Sequence, residues 1–187
     1  MVAPGWKHAC TPVSATVSTT ILPCVRTWRG WRPALVERRN AVSEKLKVLF
    51  LCTGNSCRSQ MAEGWARHLK GDVVAPYSAG IQKHGLNPLA VKVMAEAGVD
   101  ISTHRSKTVE ELGDVALDYV VTVCDHAHES CPLFPGKAKV VHVGFDDPPR
   151  LAAGAETEEE ALGHYRRVRD EIRAYVETLP DALASVQ

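Results

Sequence analysis

The sequence has no excess of charge of either sign, and this absence narrows the range of partners. Its 187 residues carry 22 Lys and Arg against 22 Asp and Glu, so the formal net charge at neutral pH is zero. Proteins that bind nucleic acid or anionic membranes usually present a strongly basic surface. The composition therefore indicates neither partner, and we expect no binding to nucleic acid or membrane.

Long apolar runs are also absent. No uncharged hydrophobic stretch approaches the roughly 18 residues that a transmembrane helix needs. The composition, with 45% hydrophobic and 24% charged residues, is typical of a soluble globular protein, and the length suits one domain with or without a tail. A transmembrane protein is excluded, and oligomeric state is not indicated, so we expect a monomer by default.

Regular periodicity is missing from the first part of the chain. This part is rich in Ser, Thr, Pro and Arg, and residues 1–45 hold seven basic against two acidic residues, a net of +5. Its arginines follow the apolar stretch, whereas a secretory signal begins with basic residues. We predict a basic, mostly disordered extension over residues 1–44, a folded domain over residues 45–187, and a cytoplasmic location.

Strands and helices alternate after the extension. Residues 47–52 form a continuous apolar run typical of a strand covered on both faces, and residues 59–70 place apolar side chains at helical spacing. Further strands are predicted over 72–78, 117–124 and 139–143, and further helices over 87–97 and 157–179. The predicted fold is α/β, a three-layer sandwich around a four-stranded parallel sheet that binds ligands at the carboxyl ends of its strands.

The first strand ends in a segment suited to binding an oxyanion. The sequence CTGNSCRS, residues 52–59, combines a cysteine, five intervening residues and an arginine directly before a helix. Gly54 and Asn55 tolerate left-handed backbone angles, so the loop can direct successive N–H groups inward, and the helix adds its positive end. Arg58 offers a planar fork of donors to a tetrahedral anion. The predicted oxyanion-binding residues are Thr53, Gly54, Asn55, Ser56, Cys57 and Arg58.

Cys52 is the candidate nucleophile of this segment. We expect the positive field around it to lower the pKa of its thiol from about 8.5 to about 6–7. Ser59 is placed to hydrogen-bond the thiolate, although a serine early in a helix is often only a cap. A purely structural cysteine is the alternative for Cys52, and the strand–loop–helix context argues against it. Cys57 is expected to be a packing residue.

These motifs resemble a known family. Residues 52–65, CTGNSCRSQMAEGW, look like the phosphate-binding loop and first helix of thioredoxin-coupled arsenate reductases, which share the fold of low-molecular-weight protein tyrosine phosphatases. The resemblance continues through residues 77–81, 84–88, 142–148 and 167–172, together with Cys124 and Cys131. It covers about residues 45–180 and leaves the extension unexplained.

The resemblance implies that arsenate is reduced by a relay of cysteines. Cys52 attacks arsenate, Cys124 then attacks the sulfur of the adduct and releases arsenite, and Cys131 moves the disulfide outward for reduction by thioredoxin. It also implies that Asp147 protonates the departing hydroxyl, and that Arg58 and Ser59 complete the catalytic set. No cofactor and no metal are required. Independently, a second thiol after the third strand, at the sheet edge that carries Cys52, suits a reductase.

Three alternatives remain open. Residues 124–131 contain two Cys and two His, which is compatible with a metal site, although the spacing is not that of a common zinc module. A phosphatase on the same scaffold would need neither Cys124 nor Cys131, and the tyrosine-rich sequence of phosphatases is replaced by residues 149–153, PRLAA. The third alternative is a non-enzymatic sensor of arsenite or redox state.

A departure from the family concerns a cation. In some members a potassium ion lies beside the loop, held by residues matching Asn55, Glu63 and Ser78 together with an acid, and at the position of that acid stands Lys107. An ammonium group would repel a bound cation and could pair with Glu63 in its place. A plain solvated lysine is the alternative. We predict that potassium is unnecessary.

Overall fold

The computed structural model of the chain describes residues 44–129 and 138–184. The predictions made for residues 1–43 and for Cys131 therefore lie outside the described residues. Within the described ranges, no helix combines the length and the hydrophobicity required to cross a membrane.

A parallel sheet forms the centre of the fold. Its four strands are β1 (Leu46–Cys52), β2 (Val74–Gly80), β3 (Tyr119–Thr122) and β4 (Lys139–His142), in the spatial order β2-β1-β3-β4. β1 pairs with β2 on one side and with β3 on the other, and residues 48–51 have no exposed surface. A central strand covered on both faces needs an apolar side chain at every position. The predicted α/β fold around a four-stranded parallel sheet is confirmed.

Six helices accompany the sheet in the described part of the chain. They are α1 (Arg58–Lys70), α2 (Pro88–Glu96), α3 (Asp125–Glu129), α4 (Pro148–Leu151), α5 (Glu158–Glu177) and α6 (Asp181–Ala184), with 3₁₀ turns at Glu110–Leu112 and Ala152–Gly154. α2 begins where predicted, because the Asn87 side chain accepts hydrogen bonds from the N–H groups of Leu89 and Ala90. α1 and α5 contact each other, and α5 also contacts α2.

The third strand is shorter than predicted. The apolar pattern extends over residues 117–124, but β3 ends at Thr122. Cys124 then starts the turn into α3, since its carbonyl accepts a hydrogen bond of 3.1 Å from the N–H of His128. This early turn places Cys124 at the carboxyl edge of the sheet.

Candidate active site

The loop between β1 and α1 forms a pocket at the carboxyl ends of the strands. The pocket has a volume of about 280 Å³ and is lined by Cys52, Thr53, Gly54, Ser56, Cys57, Arg58, His84, Asp147 and Pro149. It therefore brings together five of the six predicted oxyanion-binding residues, the candidate nucleophile and the candidate acid. Asn55 and Ser59 do not line it; both are fully buried.

The buried side chain of Asn55 stabilises the conformation of the loop. Its φ angle is 45°, in the left-handed region that the sequence predicted for this position. The side-chain oxygen accepts hydrogen bonds from the Lys107 N–H at 2.9 Å and from the Gln60 amide at 2.8 Å. The side-chain nitrogen donates to Ser59 Oγ at 2.9 Å. Every polar group of this buried side chain has a partner, so the loop conformation is well determined.

Ser59 provides the nearest donor to the nucleophile. Its Oγ lies 2.9 Å from Cys52 Sγ. When Cys52 is a thiolate its sulfur can only accept, so the Ser59 hydroxyl is then the donor of this hydrogen bond. The Asn55 N–H donates to the same sulfur at 3.1 Å. The N-cap position of α1 is Cys57, so Ser59 is not the cap of this helix.

The pKa of Cys52 differs from the sequence-based expectation. Burial raises the pKa of this thiol above its ordinary value, and the hydrogen bonds from Ser59 and the Asn55 N–H oppose that effect without overcoming it. Desolvation disfavours the charged thiolate, and the sequence pattern contained no measure of burial. The expected lowering of the Cys52 pKa was therefore wrong. The donors around the sulfur reduce the increase that burial causes, and so favour the thiolate.

We expect Ser59→Ala to raise the pKa of Cys52 further. The thiolate would lose its hydroxyl donor, so alkylation of Cys52 by iodoacetamide at pH 7.5 should slow by about tenfold. The rate should still rise with pH, with its midpoint shifted upward. Fragmentation of the peptide that contains Cys52 and Cys57 in a mass spectrometer assigns the alkylated residue. Ser56→Ala is the matched control, because the Ser56 hydroxyl donates to Cys57 and not to Cys52. An equal rate in Ser59→Ala and unmodified protein would contradict the assignment.

Cys57 has no comparable activation. Burial raises the pKa of its thiol to about 12. The Ser56 hydroxyl donates to its sulfur at 3.6 Å, whereas Cys52 Sγ has contacts with Ser59 Oγ at 2.9 Å and with the Asn55 N–H at 3.1 Å. This agrees with its interpretation as a packing residue.

Arg58 and Asp147 meet at the rim of the pocket. Arg58 Nη2 lies 2.9 Å from Asp147 Oδ1, and Nη1 donates to the carbonyl of Phe145 at 2.9 Å. The Arg58 side chain is 13% exposed and that of Asp147 is 39% exposed. The loop after β4 thus positions the Asp147 carboxylate beside the Arg58 guanidinium, as the position of Asp147 before Pro148 suggested.

Cys124 lies beside the same loop. Its thiol is buried, with 5% exposure, and its Sγ is 3.4 Å from Thr53 Oγ1. Thr53 is the residue after Cys52, so Cys124 contacts the direct chain neighbour of the candidate nucleophile. Cys52, Cys57 and Cys124 are all free thiols. Cys131, the third cysteine of the predicted relay, lies outside the described residues.

The metal-site alternative concerns residues 124–131, of which the structure describes 124–129. Among residues 44–129 and 138–184, no three His, Cys, Asp or Glu side chains are grouped to hold a metal ion. Since Cys131 falls between these ranges, a site that uses it stays a hypothesis.

Lys107 contacts the three residues that the resemblance matched to a potassium site, Asn55, Glu63 and Ser78. Its Nζ lies 3.4 Å from both Glu63 Oε2 and Ser78 Oγ, and Arg67 pairs with the other oxygen of Glu63. The Lys107 side chain is only 24% exposed, which disagrees with a plain solvated lysine. Two cationic groups already neutralise the carboxylate, so a potassium ion does not fit among these residues.

We therefore expect potassium to have no effect on this protein. Replacing K⁺ by a bulky organic cation, at constant ionic strength and constant sulfate, should change neither the melting temperature nor the activity. Lys107→Asp removes the ammonium and adds a carboxylate, and it should create a response to K⁺ in both measurements. A clear K⁺ dependence of the unmodified protein would contradict the prediction, and so would a Lys107→Asp variant that ignores K⁺.

Two residues of the pocket were not predicted from the sequence. His84 and Pro149 line it beside the loop. His84 has no spacing signal, because it reaches the pocket through the hydrogen bond from its N–H to the Gly54 carbonyl. Pro149 follows the predicted acid Asp147 by two residues, at the start of α4.

The chain belongs to the low molecular weight phosphotyrosine protein phosphatase family, whose model matches residues 47–187. Within this family it is similar to an arsenate reductase of Halalkalibacterium halodurans, with 50% identity over 137 residues, which are 73% of this chain and 96% of the relative. An arsenate reductase solved in the oxidized state has a TM-score of 0.60 and 30% identity, over 73% of this chain and 98% of that one. A thioredoxin-dependent arsenate reductase of Corynebacterium glutamicum has a TM-score of 0.57 and 26% identity, over 78% and 65% of the two chains. The resemblance inferred from the loop is confirmed.

Proposed function

We propose that this chain reduces arsenate to arsenite and is regenerated by thioredoxin. One observation carries the proposal: a thiol in an oxyanion-binding loop, Cys52, has a second free thiol, Cys124, at the edge of the same loop. A phosphatase uses the first thiol alone, whereas reduction of As(V) needs two electrons and therefore a second thiol. The 50% identity to a bacterial arsenate reductase supports the same function.

In the first step the Cys52 thiolate attacks the arsenic of arsenate. The loop N–H groups and Arg58 stabilise the charge of the oxyanion, and Ser59 stabilises the thiolate until it reacts. Arsenate that binds Arg58 releases the Asp147 carboxylate from its ion pair, so that it can take up a proton from water. Asp147 then gives this proton to the departing hydroxyl, which leaves as water. Its carboxylate, bound to Arg58 at the rim, is positioned to reach the anion.

In the second step Cys124 attacks the sulfur of Cys52. A Cys52–Cys124 disulfide forms, the electron pair of the sulfur–arsenic bond stays on arsenic, and As(V) leaves as arsenite. Cys124 lies beside Thr53 at the end of β3, so little movement of the sheet is needed to bring it to the adduct. The Thr53 hydroxyl can also donate a hydrogen bond to the Cys124 thiolate.

In the third step Cys131 attacks Cys124 and frees Cys52. The Cys124–Cys131 disulfide is then reduced by thioredoxin. α3 separates the two cysteines, so this exchange requires the short helix to open or the chain after it to fold back, since a disulfide needs Cα atoms about 5–6 Å apart. A helix of five residues, with few internal hydrogen bonds, opens at low cost.

The proposal extends to location and assembly. Free thiols in the active site suit a reducing compartment, and we propose a cytoplasmic monomer whose reductase domain comprises residues 45–187.

A coupled assay tests the function against its two rivals. With thioredoxin, thioredoxin reductase and NADPH, we expect steady, arsenate-dependent oxidation of NADPH with equimolar arsenite. A phosphatase would instead hydrolyse an aryl phosphate and leave NADPH unchanged. A sensor would bind about one arsenite per molecule and show no turnover. Either of these results alone would contradict the proposal.

A further inference from the structure

The segment after β2, residues 81–87, lies alongside the oxyanion loop, residues 52–58. Four backbone hydrogen bonds join them: the N–H groups of Ile81, Gln82, His84 and Asn87 donate to the carbonyls of Cys52, Thr53, Gly54 and Ser56, at 2.9 to 3.2 Å. A Cβ atom on Gly80 would lie 2.8 Å from the Asn55 nitrogen and 2.8 Å from the Thr53 oxygen, so glycine is needed for this close approach. The position of each residue in the segment is therefore fixed relative to the loop.

His84 is the residue that this alignment places against the pocket. Its ring packs so closely on Gly54 that a Cβ atom there would lie 2.4 Å from His84 Nδ1. The left-handed backbone angle expected for the loop occurs at Asn55 and not at Gly54. Glycine at position 54 instead provides the space for an imidazole. The ring then forms part of the pocket wall.

His84 has no acidic partner in the part of the chain that the structure describes. The ring nitrogen Nε2 contacts Gln82 Oε1 at 3.3 Å, and among the described residues no carboxylate lies within ion-pair distance of His84. The charged and titratable groups that share the pocket with His84 are Cys52, Cys57, Arg58 and Asp147, and Asp147 is paired with Arg58. Within the described residues, no carboxylate therefore competes with an anion in the pocket for the His84 ring.

We propose that His84 is an oxyanion-binding residue, whose imidazolium adds a second positive charge to the pocket beside that of Arg58. Histidine changes charge between about pH 5 and 8, so the affinity for an oxyanion should rise as the pH falls through this range. The inference rests on the proposed function, because it assigns His84 to the pocket that takes arsenate. It concerns binding alone and requires no turnover.

Sulfate titrations of the full-length protein test the proposal, because sulfate keeps a charge of −2 across this range. At constant ionic strength, His84→Asn should weaken binding about fivefold at pH 6 and hardly at all at pH 8.5. His84→Lys, with a permanent charge, should bind tightly at both pH values. Titration of Cys52 is common to all variants, so the difference between them isolates residue 84. Lys83→Ala is the matched control, since Lys83 is adjacent, does not line the pocket and is paired with Glu111.

The outcomes separate this inference from the proposed function. A His84→Asn variant with unchanged affinity and pH slope would overturn the role of His84, as would an equal loss in Lys83→Ala or a loss in His84→Lys. The melting temperature without sulfate should be the same in all four proteins, and a large drop in His84→Asn would indicate a structural role instead. If no protein in the series binds sulfate, the oxyanion pocket and the proposed function are both contradicted.

Discussion

Cys52→Ser is expected to abolish arsenite production while leaving the fold intact. A serine hydroxyl is a far weaker nucleophile at neutral pH, and its oxygen cannot supply electrons to arsenic, so turnover should fall by more than about a thousandfold. The hydroxyl can still accept the hydrogen bonds that Ser59 and the Asn55 N–H make to the sulfur. We therefore expect the melting temperature to change little, with sulfate binding retained.

The measurement combines arsenite release with thermal unfolding. Cys57→Ala is the matched control, because Cys57 lies in the same loop but its sulfur lacks the two close donors that contact Cys52 Sγ. This variant should keep most of the activity. Arsenite production by Cys52→Ser, or its loss in Cys57→Ala without a change in stability, would remove the central role of Cys52.

Parts of the fold were predictable because local pattern and burial coincide. The apolar run before Cys52 is the central strand, and the stripe at helical spacing on α5 is the buried face of that helix, with Val168, Ile172 and Val176 fully covered. In both elements the period of hydrophobic residues reports directly on the surface that packs. α3, α4 and α6 have four or five residues each, too few for any periodicity.

The candidate site also has residues that the sequence could predict and residues that it could not. Cys52, Arg58 and Ser59 lie within eight residues, so their spacing around one loop could be inferred from the sequence. The role of His84 in the pocket wall could not, because it depends on a backbone alignment between the segment after β2 and the loop. The pKa of Cys52 could not be predicted either, since its direction is decided by burial, which is a property of the complete fold.

Cys131→Ser is expected to complete one turnover and then stop. The first two steps of the relay need only Cys52 and Cys124, so one arsenite should be released per molecule. Without the resolving thiol the protein then remains as a Cys52–Cys124 disulfide that thioredoxin reduces poorly. Cys124 is buried in the structure, which explains why an external reductant would need the disulfide to be moved outward.

Cys124→Ser provides the contrast that orders the steps. This variant lacks the thiol that attacks the adduct, so it should release no arsenite in the presence of thioredoxin. Rapid quenching that counts arsenite per molecule, followed by peptide mapping under non-reducing conditions, distinguishes the two variants. A burst of one arsenite in Cys131→Ser with the Cys52–Cys124 bond, and none in Cys124→Ser, requires that Cys124 act before Cys131. A different disulfide in the stalled protein, or steady thioredoxin-driven turnover by Cys131→Ser, would show that electrons leave the site by another route.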